Sequence, residues 1–128
     1  MSQIDKLLSP LEWEIMIEIW KIGGSPSVRD VIESVYPNGE KAYTTVQTIM
    51  NNLEAKGVLS KTKIGLVNFY KPVKRQSELV GKETKNFVNK IFNGSFQSLA
   101  NYLIDSNSLS EDEIENLRRV IEQKEDKK

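Results

Sequence analysis

The chain has 128 residues with 18 Lys and Arg, 18 Asp and Glu, and no Cys or His, so its formal net charge is zero. This length favours one small domain, with or without an appendage. Without Cys and His, disulfides, thiol nucleophiles and imidazole metal ligands are excluded, and we expect no metal site and no cofactor. No apolar run is long enough to span a bilayer and residues 1–9 are too polar for a signal peptide, so we expect a cytoplasmic protein with no membrane insertion.

Charge is distributed unevenly along the sequence. Residues 1–40 carry three basic and seven acidic side chains, whereas residues 41–75 carry seven basic side chains and one acid, Glu54. Residues 76–128 carry eight basic and ten acidic side chains. A strongly basic segment in a neutral protein indicates an anionic partner, although a solvated basic loop is a simpler alternative.

The first predicted helix begins at a capping box. Ser9 precedes Glu12 by three residues, Pro10 occupies the first helical position, and Gly23-Gly24 ends the helix. Two apolar stripes at helical spacing predict a largely buried helix. Trp13 and Trp20 lie on one of these stripes, and we expect them in the core.

Two further helices follow. A second capping box begins at Ser27, and Pro37-Asn38-Gly39 ends that helix. The third helix is predicted over residues 43–56 and is closed by Gly57. Its apolar positions have i, i+3, i+4, i+7 spacing and are Val46, Ile49, Met50 and Leu53.

The side of the third helix opposite these apolar positions is polar and has no acid. It presents Thr44, Gln47, Thr48, Asn51 and Ala55. A solvated helix face typically carries Lys and Glu four residues apart, and Thr and Asn are poorer helix formers. Short hydroxyl and amide side chains suit base edges and phosphates, so we predict that this face contacts DNA.

After Gly57 the apolar period changes from helical to alternating. Residues 58–64 and 66–71 predict two strands joined at Gly65, and Lys61 and Lys63 share one face of the first strand. Three helices followed by a basic hairpin are the order of a winged helix-turn-helix. We therefore expect the third helix in the major groove and both lysines on the DNA backbone.

Residues 76–128 predict three short amphipathic helices. Helices of this length cannot bury their apolar faces completely against one another, so we expect them to pair with a second copy. The expected dimerisation residues are Phe96, Leu99, Leu103, Leu117 and Ile121. The alternative is a monomer in which they pack against the first domain. The predicted fold is mostly α with a small β-hairpin: a winged-helix DNA-binding domain over 1–75 and a helical dimerisation region over 76–128.

Five segments, in this order and spacing, resemble the BlaI/MecI/CopY group, the penicillinase-repressor family of bacterial winged-helix regulators. They read LSPLEWEIM (8–16), YTTVQTIMNNLEAKG (43–57), FYKP (69–72), FNGS (92–95) followed by Leu99, and LSEDEIENL (109–117). The resemblance implies a homodimeric transcriptional repressor on a palindromic operator, with recognition contacts at Thr44, Thr45, Gln47 and Thr48. Because Thr45 lies at the edge of the polar face, we expect it on a phosphate.

The resemblance also bears on how repression ends. Copper-sensing members use paired Cys motifs, and this chain has no Cys, so that route is excluded. Several members are inactivated at an Asn-Phe bond by a membrane sensor-protease. The corresponding bond here is Tyr102-Leu103, preceded by Asn101, so cleavage by such a protease remains an expectation although the pair itself is not reproduced.

Two other classes of function are weaker. A winged helix that only contacts proteins, such as a subunit of a complex, would expose an apolar or acidic third helix, and this one is polar within a basic segment. An enzyme would need a phosphate loop, a nucleophile elbow or a metal-ligand spacing, and the sequence has none of these. We therefore predict a DNA-binding repressor and no enzymatic activity.

Overall fold

The computed structural model describes residues 7–126. Within them the elements run α1 (Pro10–Ile22), α2 (Val28–Val35), α3 (Tyr43–Ala55), β1 (Leu59–Ile64), β2 (Val67–Pro72), α4 (Gln76–Ile91), α5 (Phe96–Asp105) and α6 (Glu111–Asp126). This order confirms the mostly helical winged-helix fold with one small hairpin. The chain divides into two compact units, one ending at Glu83 and the other beginning at Thr84.

The capping box of α1 is formed as predicted. The Ser9 hydroxyl accepts from the Glu12 backbone N–H at 3.2 Å, and the Glu12 carboxylate accepts from the Ser9 N–H at 2.7 Å. The expectation of a largely buried helix is wrong for one side of α1. Ile15, Met16 and Ile19 face the core, whereas Leu11, Ile17 and Ile22 are more than a third exposed.

The core of the first unit lies between α1, α2, α3 and the hairpin. Its fully buried apolar side chains include Ile15, Met16, Ile19, Val31, Val46, Met50, Leu53 and Tyr70. Trp13 and Trp20 are half-buried and pack against this core with ring centroids 6.0 Å apart. Both indole N–H groups donate hydrogen bonds, that of Trp13 to the Glu83 carboxylate at 2.9 Å and that of Trp20 to the Lys74 carbonyl at 3.1 Å.

The two strands form an antiparallel hairpin with a two-residue turn at Gly65 and Leu66. Gly65 has φ of +64°, a conformation that favours glycine. Cross-strand pairing places Lys61 opposite Tyr70, and Tyr70 N–H donates to the Pro26 carbonyl at 2.9 Å. This backbone bond attaches β2 to the segment that precedes α2.

The first unit continues past residue 75, the expected domain boundary, because the first turns of α4 belong to it. Leu79 packs against the core. The Glu83 carboxylate accepts from the Leu8 backbone N–H at 3.1 Å and from the Trp13 indole N–H at 2.9 Å. These contacts are made by side chains that a cut at residue 75 would remove.

The second unit contains the last part of α4 together with α5 and α6. Asn93 and Gly94 separate α4 from α5, and both have positive φ, +51° and +84°. The Phe92 ring lies 6.0 Å from the Phe87 ring and 6.4 Å from the Tyr102 ring. Among the described residues of α5 and α6, no side chain is fully buried, so this unit has much less core of its own than the first.

Candidate nucleic-acid interface

The N-terminus of α3 differs from those of α1 and α2. Both earlier helices begin at a capping box with an acidic residue. Within the described part of the chain, Ala42 at the N-cap of α3 provides no side-chain hydrogen bond, and the first turn contains no acid. The first backbone N–H groups and the positive end of the helix dipole are thus left for an anion such as phosphate.

The polar face of α3 is accessible, as the sequence predicts. Thr44, Thr45 and Thr48 are exposed, and Gln47 and Asn51 are half-buried. The five residues of α3 that we expect to contact DNA are therefore all accessible, from the uncapped N-terminus of the helix to Asn51.

The hydroxyl of Thr48 donates a hydrogen bond to the backbone of its own helix. Its Oγ1 donates to the Thr44 carbonyl at 2.8 Å. The group that Thr48 can present outward is therefore its methyl or the lone pairs of its oxygen. Gln47 makes no hydrogen bond to another described side chain, so its amide is free to present either end.

Asn51 is bound to the hairpin. Its Oδ1 accepts from the Tyr70 hydroxyl at 2.7 Å and from the Lys61 ammonium at 3.4 Å. Burial raises the pKa of the Tyr70 hydroxyl, and the nearby Tyr43 and Glu54 raise it further. The structure therefore connects two of the predicted DNA contacts, Asn51 and Lys61, through one amide oxygen.

The lysines of β1 lie on the hairpin face that carries Tyr70. Lys61 pairs with Tyr70 and Lys63 pairs with Asn68 across the ladder, and both lysines are exposed. Lys71 pairs with Ser60 and so lies on the other face. The turn that joins the strands is apolar, and Leu66 at its tip is 95% exposed.

Not every basic side chain of residues 41–75 is free to contact an anionic partner, because two of them are paired with acidic side chains. Lys56 is paired with Glu12 at 2.5 Å, and Arg75 with Glu78 at 3.1 Å. The hydrogen bonds from Arg75 lower the pKa of the Glu78 carboxyl. Lys61 and Lys63 make no ion pair with an acidic side chain in the described part of the chain, so their charges are available beside α3.

Sequence reasoning missed two residues that support this surface, Tyr70 and Lys56. The position of Tyr70 opposite Lys61 follows from a two-residue turn at Gly65 and Leu66, so counting the register from that turn would have indicated it. The ion pair of Lys56 with Glu12 joins residues that are far apart in the sequence, and no local pattern indicates it.

In the second unit, α5 and α6 enclose an open apolar groove of about 680 Å³. Leu103, Leu117 and Ile121 line it, three of the five predicted dimerisation residues. The other two, Phe96 and Leu99, are not part of its lining; Phe96 is exposed and Leu99 is half-buried.

The predicted cleavage position lies inside α5. Tyr102 is exposed and Leu103 is half-buried, and both are in helical backbone. In residues 7–126 we find no cluster of acidic side chains arranged to hold a metal ion. No helix in the same residues has the length and apolar character needed to cross a bilayer.

Comparison with known proteins agrees with this architecture. The chain matches the penicillinase repressor family over residues 8–123. It is 32% identical over 117 residues to the methicillin resistance regulatory protein MecI of Staphylococcus aureus (strain N315), which covers 91% of this chain and 94% of that protein. It is 29% identical over 121 residues to the penicillinase repressor of Bacillus licheniformis, covering 94% of each chain. The chain therefore belongs to the penicillinase repressor family of transcriptional regulators.

Proposed function

We propose that this protein is a sequence-specific repressor that binds a palindromic operator as a homodimer. The observation that carries the proposal is the outward face of α3, which has no acid, begins at an uncapped helix N-terminus and lies beside two exposed lysines of the hairpin. The names of its relatives, repressors of penicillinase and of methicillin resistance, support the same role.

In this proposal α3 enters the major groove. Thr44, Gln47 and Thr48 contact base edges, and Thr45 contacts a phosphate near the helix N-terminus. Lys63 and Lys61 lie along the backbone and release counterions from it.

The proposed homodimer uses the apolar faces of α5 and α6. Two copies provide two winged helices for two half-sites, and the second contact then forms at a high effective concentration. Cutting the chain between residues 94 and 109, including at Tyr102-Leu103, would detach α6, with Leu117 and Ile121, from the winged helix. A membrane sensor-protease that made this cut would relieve repression and leave the DNA-reading surface unchanged.

The test is selection of duplexes by the full-length protein from a random-sequence pool, followed by titration at several salt concentrations. We expect enrichment of a two-fold symmetric sequence and a binding constant that falls steeply with salt. A winged helix that contacts only proteins would enrich no sequence. Retention of all duplexes to the same degree would contradict sequence-specific repression.

A further inference from the structure

The contacts of Asn51 restrict which hydrogen-bonding groups it can offer to a partner. A side-chain amide has an oxygen that accepts and a nitrogen with two N–H donors. The Lys61 ammonium, 3.4 Å from Oδ1, can only donate, so the oxygen must be the atom that faces it. The Tyr70 hydroxyl, 2.7 Å from the same oxygen, provides a second donor. In the described part of the chain, no oxygen accepts a hydrogen bond from Asn51 Nδ2.

The position of the Tyr70 hydroxyl is set by the core and not by Asn51. The Tyr70 side chain is fully buried, and its backbone N–H is bound to the Pro26 carbonyl. The hydroxyl is protonated and able to donate at neutral pH, because the ordinary tyrosine pKa is about 10 and burial raises the pKa of Tyr70 further. Asn51 is therefore oriented by a rigid donor on the neighbouring strand.

This orientation matters for base recognition. An Asn that pairs with adenine in the major groove needs its oxygen for the adenine amino group and its N–H for N7. With Oδ1 accepting from Tyr70 and Lys61, only the N–H half of that pattern is left.

We propose that Tyr70 and Lys61 hold the Asn51 amide so that it meets DNA through its N–H groups alone, and that Asn51 contacts an acceptor on DNA and does not pair with adenine. The inference rests on the proposed DNA-binding function. Asn51 is then a DNA-contacting residue, and Tyr70 is a positioning residue that acts through it. The acceptor is either a base atom, such as guanine N7 or O6, or a phosphate oxygen.

The first test is a double-mutant cycle on duplexes that the full-length protein selects from a random-sequence pool. Tyr70→Phe keeps the ring in the core and removes the hydroxyl. We expect it to weaken binding about 3–10-fold, and Asn51→Ala about tenfold. In the Asn51→Ala background, Tyr70→Phe should have less than about a twofold effect, because the group it positions is gone.

Tyr36→Phe is the matched control for the cycle. It removes the other buried tyrosine hydroxyl of the same unit, which makes no hydrogen bond to α3. Thermal unfolding of each variant checks that it is folded at the temperature of the titration. An equal loss from Tyr70→Phe in both backgrounds would show a merely structural role and overturn the inference, and so would wild-type affinity of Tyr70→Phe.

The second test reverses the outward chemistry of Asn51. Asn51→Asp keeps an oxygen for Tyr70 and Lys61 but replaces the outward N–H groups by an acceptor. Asn52→Asp adds the same charge one residue further along the helix and controls for general repulsion by DNA. We expect Asn51→Asp to weaken binding at least about tenfold more than Asn52→Asp. Equal affinities of the two variants would contradict a donor role.

Modified duplexes then identify the acceptor. Replacing a purine N7 by carbon removes a base acceptor, and a methylphosphonate removes the charge of a phosphate. In double-mutant cycles with Asn51→Ala, coupling to either change supports the inference and names the acceptor. Coupling instead to removal of an adenine amino group would overturn it.

These outcomes separate the inference from the proposed function. If the wild-type protein selects no duplex, both are wrong. If it selects a duplex and Tyr70→Phe binds that duplex as tightly as the wild type, only the inference about Asn51 fails.

Discussion

The ammonium group of Lys56, at the C-cap of α3, lies 2.5 Å from Oε1 of Glu12 in the first turn of α1. Glu12 is 5% exposed, and the same oxygen accepts from the Ser9 N–H. Lys56 also donates to the Leu7 carbonyl at 3.1 Å. This ion pair therefore fixes the end of the helix that we propose reads DNA against the start of α1.

The first prediction concerns this pair. Lys56→Met keeps the apolar stem of the side chain but leaves the Glu12 carboxylate without its cation in a buried position. We expect the free energy of unfolding to fall by about 1–3 kcal/mol, measured by urea denaturation. Adding Glu12→Gln should recover part of that loss, because the uncompensated charge is then removed.

The exposed pair of Arg75 and Glu78 is the control for the Lys56 experiment. Glu78→Gln should leave the unfolding midpoint nearly unchanged, because exposed ion pairs contribute little. An equally small effect of Lys56→Met would mean that the Glu12 pair is not important for stability.

The second prediction concerns base reading by Gln47. Gln47→Ala should reduce discrimination at one base position in each half-site by about 1–3 kcal/mol, because its amide is available for a base edge. Its stability and sedimentation should match those of the wild type. Gln97→Ala, the same change on α5, is the control. A wild-type ratio of affinities for selected and scrambled duplexes would show that α3 does not read bases through Gln47.

The third prediction uses Lys63, because Lys61 also contacts Asn51 and its removal would have two effects. Lys63→Ala should weaken binding to all duplexes by a similar factor and lower the slope of log affinity against log salt by about one. The double variant Lys85→Ala/Lys90→Ala, with changes only in the second unit, should keep the wild-type slope. A loss confined to certain sequences would indicate a base contact for Lys63.

Local signals explain what could be predicted from the sequence. The capping boxes at Ser9 and Ser27 involve residues three apart, so they can be identified without the fold. The outward face of α3 follows from the helical period alone, so the sequence is sufficient to place Thr44, Gln47 and Thr48 on the accessible side of the helix.

Contacts between distant residues explain the rest. Glu12 lies beside the predicted apolar stripe, yet it is buried, because Lys56 reaches it across 44 residues. The helical period predicts Asn51 on the outward face of α3, but the orientation of its amide depends on Tyr70, 19 residues away on β2. Neither contact can be found from periodicity, since each depends on how α3 packs against another element.

The fourth prediction concerns alkaline pH. Burial, together with the nearby Glu14 and Glu40, raises the pKa of Tyr36 from 10.0 to about 12. Between these two pKa values the folded state keeps a proton on Tyr36 that the unfolded chain releases. The contribution of Tyr36 to the free energy of unfolding is therefore fully present below about pH 10 and is lost as the pH rises to about 12.

Comparison of the wild type with Tyr36→Phe isolates this contribution. Between about pH 10 and 12 the wild type should lose on the order of 2 kcal/mol of stability relative to the variant, measured by urea unfolding. Tyr102→Phe, which removes an exposed hydroxyl, should follow the wild type. A constant difference between the wild type and Tyr36→Phe across this range would contradict the raised pKa.

The fifth prediction links the groove between α5 and α6 to the proposed homodimer. Leu117 lines that groove and is 47% exposed in a single chain, so it has apolar surface that a second copy could bury. Replacing a buried aliphatic residue by Ala typically costs about 2–5 kcal/mol, and in a symmetric interface the change occurs twice. Leu117→Ala should therefore raise the dimer dissociation constant at least about tenfold in sedimentation experiments and weaken binding to a two-half-site duplex more than to a single half-site. Leu66→Ala, the same truncation at the hairpin tip, should leave the dissociation constant unchanged. If Leu117→Ala dimerises like the wild type, the copies associate through another surface, or the groove is occupied by something other than a second chain.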